Sequence, residues 1–246
     1  MERPLWFLDE LAHAGAEHRD PAYVAGYDQK TGFDPADDLA LLRERSLSAA
    51  STLVDMGAGT GTFALAAAAV CERVIAVDVS PVLLTILGAK AEQLRLGNVE
   101  YVQAGFLSYE HRGAPADFVY SRHALHHLPD FWKALALTRV AAMLRPGGVL
   151  LLRDLVFSFD LDGAEQAIEA WLAGAASRVA DARAGWTRAE LEEHLRGEYS
   201  TFSWLLEPML ERAGFEISDA LYSPSGIYTG YICVKRDTTR GGRMAG

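Results

Sequence analysis

The chain has 246 residues, of which 50% are hydrophobic and 23% are charged, and its 23 Lys and Arg against 33 Asp and Glu give a formal net charge of −10 at pH 7. This apolar content is enough for the core of one domain with an elaboration, and the acidic balance would repel a phosphate backbone, which argues against nucleic acid as a partner. The longest apolar run, residues 63–71, is far shorter than the ~20 residues that a membrane span needs, so we expect no membrane partner.

The two cysteines, Cys71 and Cys233, are far apart in the sequence and belong to no CxxC pair. Neither a disulfide framework nor a cysteine zinc site is therefore expected. This pattern of cysteine usage predicts a cytoplasmic protein.

Residues 1–50 are predicted to form an N-terminal helical leader. Helices are expected at residues 5–14 and 35–48, joined by a turn-rich stretch at residues 26–32. Because the leader lacks a core of its own, we expect it to pack on the sheet that follows.

Residues 51–236 begin with short β-branched runs that alternate with longer helical stretches, which is typical of βαβ units and a parallel sheet. Strands are predicted at Thr52–Met56, Arg73–Asp78, Val99–Gln103, 117–121 and 149–154. Helices are predicted at 61–70, 81–96 and 131–144, and the Pro-Gly-Gly sequence at 146–148 is the expected stop signal of the third helix.

The strand–helix alternation stops between about residues 157 and 214, where we expect a helical cap of two or three helices and no strand. Thr187 and Glu190 have the spacing of a capping box at the start of one of these helices. Two further strands, Phe215–Tyr222 and Tyr228–Lys235, are predicted to form an antiparallel pair, and the polar tail at 237–246 is predicted to be disordered.

A glycine-rich stretch, from Asp55 to Gly61, follows the first predicted strand and opens a helix. Glycines here let a ligand approach the backbone, and the helix N-terminus offers unpaired N–H groups. Ligands of open α/β sheets bind outside the carboxyl ends of the strands, where Asp78 ends the second strand. Its carboxylate is placed to accept hydrogen bonds from ribose hydroxyls.

Two classes of ligand compete for this predicted site. Gly59, Gly61 and Ala64 satisfy the dinucleotide fingerprint, which is typical of a NAD(P)-dependent oxidoreductase. Asp55 argues against a pyrophosphate, because like charges repel strongly in a water-poor crevice. It suits a cationic ligand such as S-adenosylmethionine, which carries an ammonium, a sulfonium and no phosphate; the other interpretation is that Asp55 only caps the loop.

Four motifs in order between residues 52 and 154 together resemble the class I S-adenosylmethionine-dependent methyltransferases. They are the stretch from Val54 to Gly61, Val77-Asp78-Val79-Ser80, the segment from Ala116 to Leu128, and Leu144-Arg145-Pro146-Gly147-Gly148. The resemblance implies a Rossmann-like, doubly wound α/β fold, with a seven-stranded, mostly parallel sheet whose last strand is antiparallel. It also implies S-adenosyl-L-methionine as the cofactor.

By this resemblance, Asp55 serves the loop and the methionine end of the cofactor, the glycines lie against it, and Asp78 holds the ribose. The expected cofactor-binding residues are Asp55, Gly57, Ala58, Gly59, Gly61, Asp78, Val79, Gly105, Phe106 and Ser121. One position departs from the family pattern: an acid that accepts from the adenine amino group is common where this chain has Gly105. Phe106, which also fits a core position, and Gln103 are the candidates for adenine contacts.

Three histidines, His123, His126 and His127, follow the fourth predicted strand. No Cys or acid at a comparable spacing completes a tetrahedral set, so we predict no metal. His123 and His126 are the candidate catalytic residues, because a neutral imidazole can take a proton from an attacking atom, whereas His127 is expected to support the loop. Methyl transfer needs such a base only when the nucleophile arrives protonated.

The leader and the cap are expected to supply the acceptor pocket, with Tyr23, Tyr27, Tyr199 and Trp204 as candidate substrate-binding residues. The helical spacing of Trp204 equally fits a core position. The predicted function is methyl transfer from S-adenosylmethionine to a small-molecule acceptor by in-line displacement. A non-catalytic S-adenosylmethionine-binding protein and a NAD(P)-dependent oxidoreductase are the alternatives, and the acceptor, the methylated atom and the oligomeric state are left open.

Overall fold

The computed structural model describes residues 4–15, 17–178 and 185–237, and this part of the chain is built around one β-sheet. The strands are β1 (Thr52–Met56), β2 (Arg73–Asp78), β3 (Val99–Gln103), β4 (Ala116–Arg122), β5 (Leu144–Phe157), β6 (Thr201–Phe202), β7 (Phe215–Tyr222) and β8 (Tyr228–Lys235). The α-helices are α1 (Glu10–His13), α2 (Pro21–Val24), α3 (Tyr27–Thr31), α4 (Ala36–Glu44), α5 (Thr62–Ala68), α6 (Pro81–Gln93), α7 (Asp130–Met143), α8 (Ala164–Arg178), α9 (Arg188–Gly197) and α10 (Ser203–Arg212). Apart from Asp237, the tail predicted to be disordered lies outside the described residues.

The strand order is β3-β2-β1-β4-β5-β8-β7, and the two-residue β6 pairs with β5 off this path. The pairs among β1 to β5 are parallel, whereas β8 is antiparallel to both β5 and β7. The mostly parallel, doubly wound sheet with an antiparallel last strand is therefore confirmed. Its order reverses between β1 and β4, so their carboxyl ends border the crevice where such sheets bind ligands.

The start of β5 differs from the sequence-based expectation. Helix α7 ends at Met143, and the chain continues directly into β5, so the Pro-Gly-Gly sequence lies inside the strand and not in a loop. The pairing with β4 passes from Ala116↔Leu144 to Phe118↔Val149, which makes these residues a bulge. Glycine suits position 148 of this bulge, because the Cβ of any other residue would lie only 3.1 Å from the carbonyl oxygen of Asp117.

The cap and the leader also depart from expectation in detail. Strand β6 lies where no strand was predicted, because two residues are too few to show a period. Only the four residues of α1 are helical within the helix predicted at 5–14, and the stretch predicted as turns at 26–32 contains the helix α3. The capping box of Thr187 and Glu190 is present at the start of α9.

Apolar side chains leave the sheet on both faces, as the alternation along each strand requires. In β1, Val54 belongs to the cluster that packs with α7 and α10, whereas Leu53 belongs to the cluster that packs with α5 and α6. Leu39 and Leu42 of α4 join the second cluster, which places this part of the leader against the sheet. Of the helices in the described part of the chain, none combines the length and apolar character that crossing a bilayer requires.

A buried carboxylate connects α4 to the middle of the sheet. Asp38 accepts a hydrogen bond of 2.7 Å from the hydroxyl of Tyr120 and another from Nε of Arg153. Nη1 of Arg122 lies 3.6 Å from the same carboxylate. Burial and the adjacent Asp38 charge raise the pKa of Tyr120, so this hydroxyl remains a donor. The buried carboxylate of Asp38 thus holds the leader to the sheet.

Replacing Asp38 by Ala is expected to lower the free energy of unfolding by about 3 kcal/mol, because Arg153 and Tyr120 would lose a buried partner. Urea denaturation measures the change. Asp37, exposed on the same helix, is the matched control, and Asp37→Ala is expected to cost less than about 1 kcal/mol. Equal losses in the two variants would contradict the role of the Asp38 contacts.

Candidate active site

A cleft opens at the carboxyl ends of the parallel strands. The loops after β1, β2 and β3 form its floor, with Gly57, Gly59, Asp78, Val79, Gly105 and Phe106. The leader covers it with Glu10, Ala14, His18 and Tyr27, and the loop after β4 adds Arg122, His123, Ala124 and His127. The cleft thus lies at the crossover point of the sheet, as the strand order requires.

The glycine loop after β1 is held against β2 and against the histidine loop. The N–H groups of Gly57 and Ala58 donate to the carbonyl oxygen of Val77, at 2.8 and 3.0 Å. Gly57 has φ +76°, and a Cβ there would overlap the Cβ of Ala124, so only glycine allows the two loops to meet. Gly59 also has a positive φ, but nothing lies within 4 Å of where its Cβ would be. Its backbone therefore borders open space.

Two carboxylates lie beneath this loop. Asp78 accepts from the N–H groups of Gly59, at 2.9 Å, and Ser80, at 2.8 Å, and burial raises its pKa. Asp55 is 2% exposed, and its Oδ2 has no hydrogen-bond partner among the described residues. Burial and the charge of Asp78 raise the pKa of Asp55 well above its ordinary value. Of the two acids, Asp78 lines the cleft and Asp55 does not, and the raised pKa of each favours its neutral form.

His123 and His127 present neutral imidazoles to the cleft. Burial and the charge of Arg122 lower the pKa of His123 to about 3, and burial and the charge of His126 lower that of His127 to about 3. The Nδ1 atom of each ring is buried and has no hydrogen-bond partner among the described residues. His123 also has φ +50°, an uncommon conformation for a residue with a side chain.

His126 has the opposite environment, because both ring nitrogens face carboxylates. Its Nδ1 donates to Asp154, and its Nε2 lies 3.0 Å from Oε2 of Glu198. Burial lowers the pKa of His126, but the two carboxylates outweigh burial and raise the pKa to about 9. The same interactions outweigh burial at Asp154 and Glu198 and hold their pKa values well below the ordinary range. His126 is therefore a cation at neutral pH.

The places of His126 and His127 are exchanged relative to expectation. His127 lines the cleft, whereas His126 does not and is enclosed by Asp154 and Glu198. The 3-10 turn at Leu125–His127 directs consecutive side chains to different sides, and the two acids come from distant parts of the chain. No local sequence signal could have revealed this pairing.

Two groups of side chains have metal-ligand geometry. One contains His123, His126 and Asp154, the other His126, His194 and Glu198, and the ligand atoms within each group lie within 4.8 Å of one another. The sequence-based reason against a metal, the lack of an acid near the histidines, is therefore wrong. The absence of a metal stays a prediction, and the protonated His126 accounts for the arrangement without an ion.

The remaining predicted cofactor residues have different surroundings. Asp55, Ala58, Gly61 and Ser121 do not line the cleft. A Cβ on Gly61 would meet the side chain of Leu87, and the hydroxyl of Ser121 donates to the carbonyl oxygen of Met56 at 2.8 Å. These two residues support the loops from behind.

Among the predicted substrate residues, Tyr27 lines the cleft, and Tyr23, Tyr199 and Trp204 do not. Tyr199 is 40% exposed, and its N–H donates to the carbonyl oxygen of His126. Trp204 is 56% exposed and stacks on Phe202. Both belong to the cap, and Tyr199 also stacks on His13 of the leader.

Three polar residues that line the cleft were not among the predicted site residues: Glu10, His18 and Arg122. His18 reaches the cleft because the hydroxyl of Ser80 donates to its carbonyl oxygen at 2.7 Å. Such contacts between the leader and the sheet depend on tertiary structure, which a motif search cannot show.

Comparison with known proteins finds similarity to methyltransferases. Residues 53–148 match the family model described as a methyltransferase domain. An uncharacterized methyltransferase of Geobacillus kaustophilus is 28% identical over 219 residues, covering 87% of this chain and 91% of that protein.

Solved structures agree in fold. A SAM-dependent methyltransferase from Aquifex aeolicus has a TM-score of 0.60 at 19% identity, covering 87% of this chain and 98% of its own. Magnesium protoporphyrin IX methyltransferase from Synechocystis, solved with bound SAM, has a TM-score of 0.62 at 14% identity, covering 94% and 100%. Together with the family match, these similarities favour S-adenosylmethionine over a dinucleotide as the ligand of the cleft.

The charge on His126 predicts a specific loss of stability at alkaline pH. The folded pKa of about 9 lies above the ordinary 6.5, so the stabilisation is complete below pH 6.5 and is lost as the pH rises through 9. The free energy of unfolding is expected to fall by up to about 3 kcal/mol over this range. Urea denaturation at a series of pH values measures it.

Two variants test the assignment of this pH dependence. His126→Gln is expected to remove the fall, because no ionisable ring remains between the carboxylates. His127→Gln is the matched control and should retain it, since His127 is neutral above pH 6.5 in both the folded and unfolded states. A fall of the same size in both variants would show that another group titrates.

Proposed function

We propose that this chain, which is similar to S-adenosylmethionine-dependent methyltransferases, transfers the methyl group to a small-molecule acceptor by in-line displacement. The observation that carries the proposal is the leader, which covers the cleft with His18 and Tyr27. A cleft that the leader partly covers, and that must also hold the cofactor, favours a small acceptor over a macromolecular one. We also propose that the enzyme acts in the cytoplasm.

The proposed cofactor contacts follow from the floor of the cleft. Asp78 is placed to accept hydrogen bonds from ribose hydroxyls, and Gly57 and Gly59 allow close approach to their backbone. Asp55, buried beneath the glycine loop, is proposed to support the part of that loop that meets the methionine end. The bound cofactor supplies a methyl group on a sulfonium, whose neutral thioether leaves without needing a proton.

The proposed acceptor position lies between the covering leader and the loop after β4. His123 and His127 are proposed to orient a hydroxyl or amine by accepting its hydrogen bond, because both imidazoles are neutral and their low pKa values make them weak bases. His126 is a positioning residue in this proposal, since its ring is protonated and does not line the cleft. Alignment of the reactants and exclusion of water supply the rest of the rate enhancement.

A turnover assay that detects S-adenosylhomocysteine across a panel of small acceptors tests the proposal. The panel includes hydroxyl, amine, thiol and activated-carbon nucleophiles, with protein and nucleic acid substrates as the comparison. We expect turnover with small acceptors only. Turnover confined to the macromolecules would overturn the small-molecule assignment, and binding of NADH without binding of S-adenosylhomocysteine would overturn the cofactor assignment.

The role of Asp78 predicts a loss of cofactor affinity on substitution. Asp78→Ala is expected to weaken binding of S-adenosylhomocysteine by about tenfold to hundredfold, the effect of losing hydrogen bonds to a charged group. Isothermal titration calorimetry measures the dissociation constant, and thermal unfolding checks the fold.

The matched control for Asp78 is Asp117, at the other end of the sheet. Its carboxylate accepts from the N–H of Thr52 at 2.9 Å, so Asp117→Ala also removes a bond to the backbone, but far from the cleft. This variant is expected to keep its affinity. A folded Asp78→Ala variant that binds as tightly as the wild type would refute the ribose contact.

A further inference from the structure

In the loop after β3, the space beside the backbone of Gly105 is already filled by another residue. Gly105 lines the cleft, and its φ is not in the left-handed region, so its backbone does not demand glycine. A Cβ at Gly105 would nevertheless overlap the carboxylate of Glu10. The carboxylate of the leader therefore occupies the space that a side chain at position 105 would fill.

Several contacts hold Glu10 in this position. Its Oε1 accepts from the N–H of Leu107 at 2.9 Å, and its Oε2 accepts from the hydroxyl of Ser108 at 2.7 Å. The Asp9 side chain caps α1 by accepting from the N–H groups of residues 11 and 12, which fixes the helix that carries Glu10. The acid is thus bound to the β3 loop across 97 residues of sequence.

Besides these two contacts, the carboxylate of Glu10 can accept further hydrogen bonds from a ligand. Each carboxylate oxygen can accept two hydrogen bonds, so an unused lone pair remains on each. The side chain is only 8% exposed, and it borders the cleft together with Gly105 and Phe106. A buried carboxylate without a cation beside it is costly, and a donor on the ligand would reduce that cost.

We propose that Glu10 supplies, from the leader, the carboxylate that accepts a hydrogen bond from the exocyclic 6-amino group of the adenine ring. Glu10 lies next to Gly105, on the β3 side of the cleft, and Asp78 lies at the end of the adjacent β2. A nucleoside whose ribose is held at Asp78 would direct its base toward this side. Glu10 then makes the leader part of the nucleobase site, independently of the acceptor.

The experiment measures recognition of one amino group by calorimetry, without turnover. S-adenosylhomocysteine is compared with its 6-deamino analogue, in which hydrogen replaces the amino group and the ring nitrogens are unchanged. The wild type is expected to prefer the amino form by about tenfold or more, and Glu10→Ala is expected to bind the two ligands with nearly equal affinity. Glu10→Gln, which keeps an acceptor oxygen without the charge, should have an intermediate preference.

A relocation variant separates a direct contact from a structural role. In Glu10→Ala/Gly105→Asp, the new side chain enters the vacated space, and the preference for the amino form is expected to return. Gly105→Asp alone should weaken binding of both ligands, because two carboxylates then compete for one space.

Asp9→Ala is the control for a loosened leader, since it removes the helix cap and keeps the Glu10 acid. It is expected to preserve the preference, even if both affinities fall. If Glu10→Ala retains the wild-type preference for the amino form, whether or not both affinities fall, the proposal is overturned and Glu10 only supports the loop. Thermal unfolding of every variant establishes that the compared proteins are folded.

Discussion

The contact between Gly57 and Ala124 is the constraint on which the cleft depends. It brings the loop after β1 against the loop after β4, at the point where the strand order reverses. A Cβ at position 57 would overlap Ala124, so the two loops can approach each other this closely only with a glycine in the left-handed conformation at position 57. The same approach places His123 beside the glycine loop, and the cleft opens on the side where Gly59 has no neighbour.

Charge is distributed unevenly around this contact. The imidazolium of His126 lies behind the loop between Asp154 and Glu198, whereas the neutral rings of His123 and His127 face the cleft. The cation itself contributes to the low pKa values of its neighbours, because a second positive charge nearby would be repelled. Burial is the main cause of these low pKa values, and the charge of His126 adds to it.

The sequence predicted the sheet well and the site in part, for physical reasons. Strands such as β1 and β2 are short, β-branched and buried on both faces, so their bounds follow from local pattern, and the glycine loop and Asp78 follow from the strand ends. The pairing of His126 with Glu198 and the insertion of Glu10 beside Gly105 join distant segments. Polar contacts of this kind leave no periodicity, so the sequence did not show that His127 and Glu10 line the cleft whereas His126 does not.

The leader over the cleft consists of helices of four or five residues at α1, α2 and α3. Segments this short have no helical stability of their own in water, so their order depends on tertiary contacts, such as those of Asp28 with Thr60 of the glycine loop and Lys90 of α6. A ligand that contacts His18 and Tyr27 stabilises the ordered leader by its own binding free energy. Resistance of the leader to proteolysis is therefore a measure of occupancy.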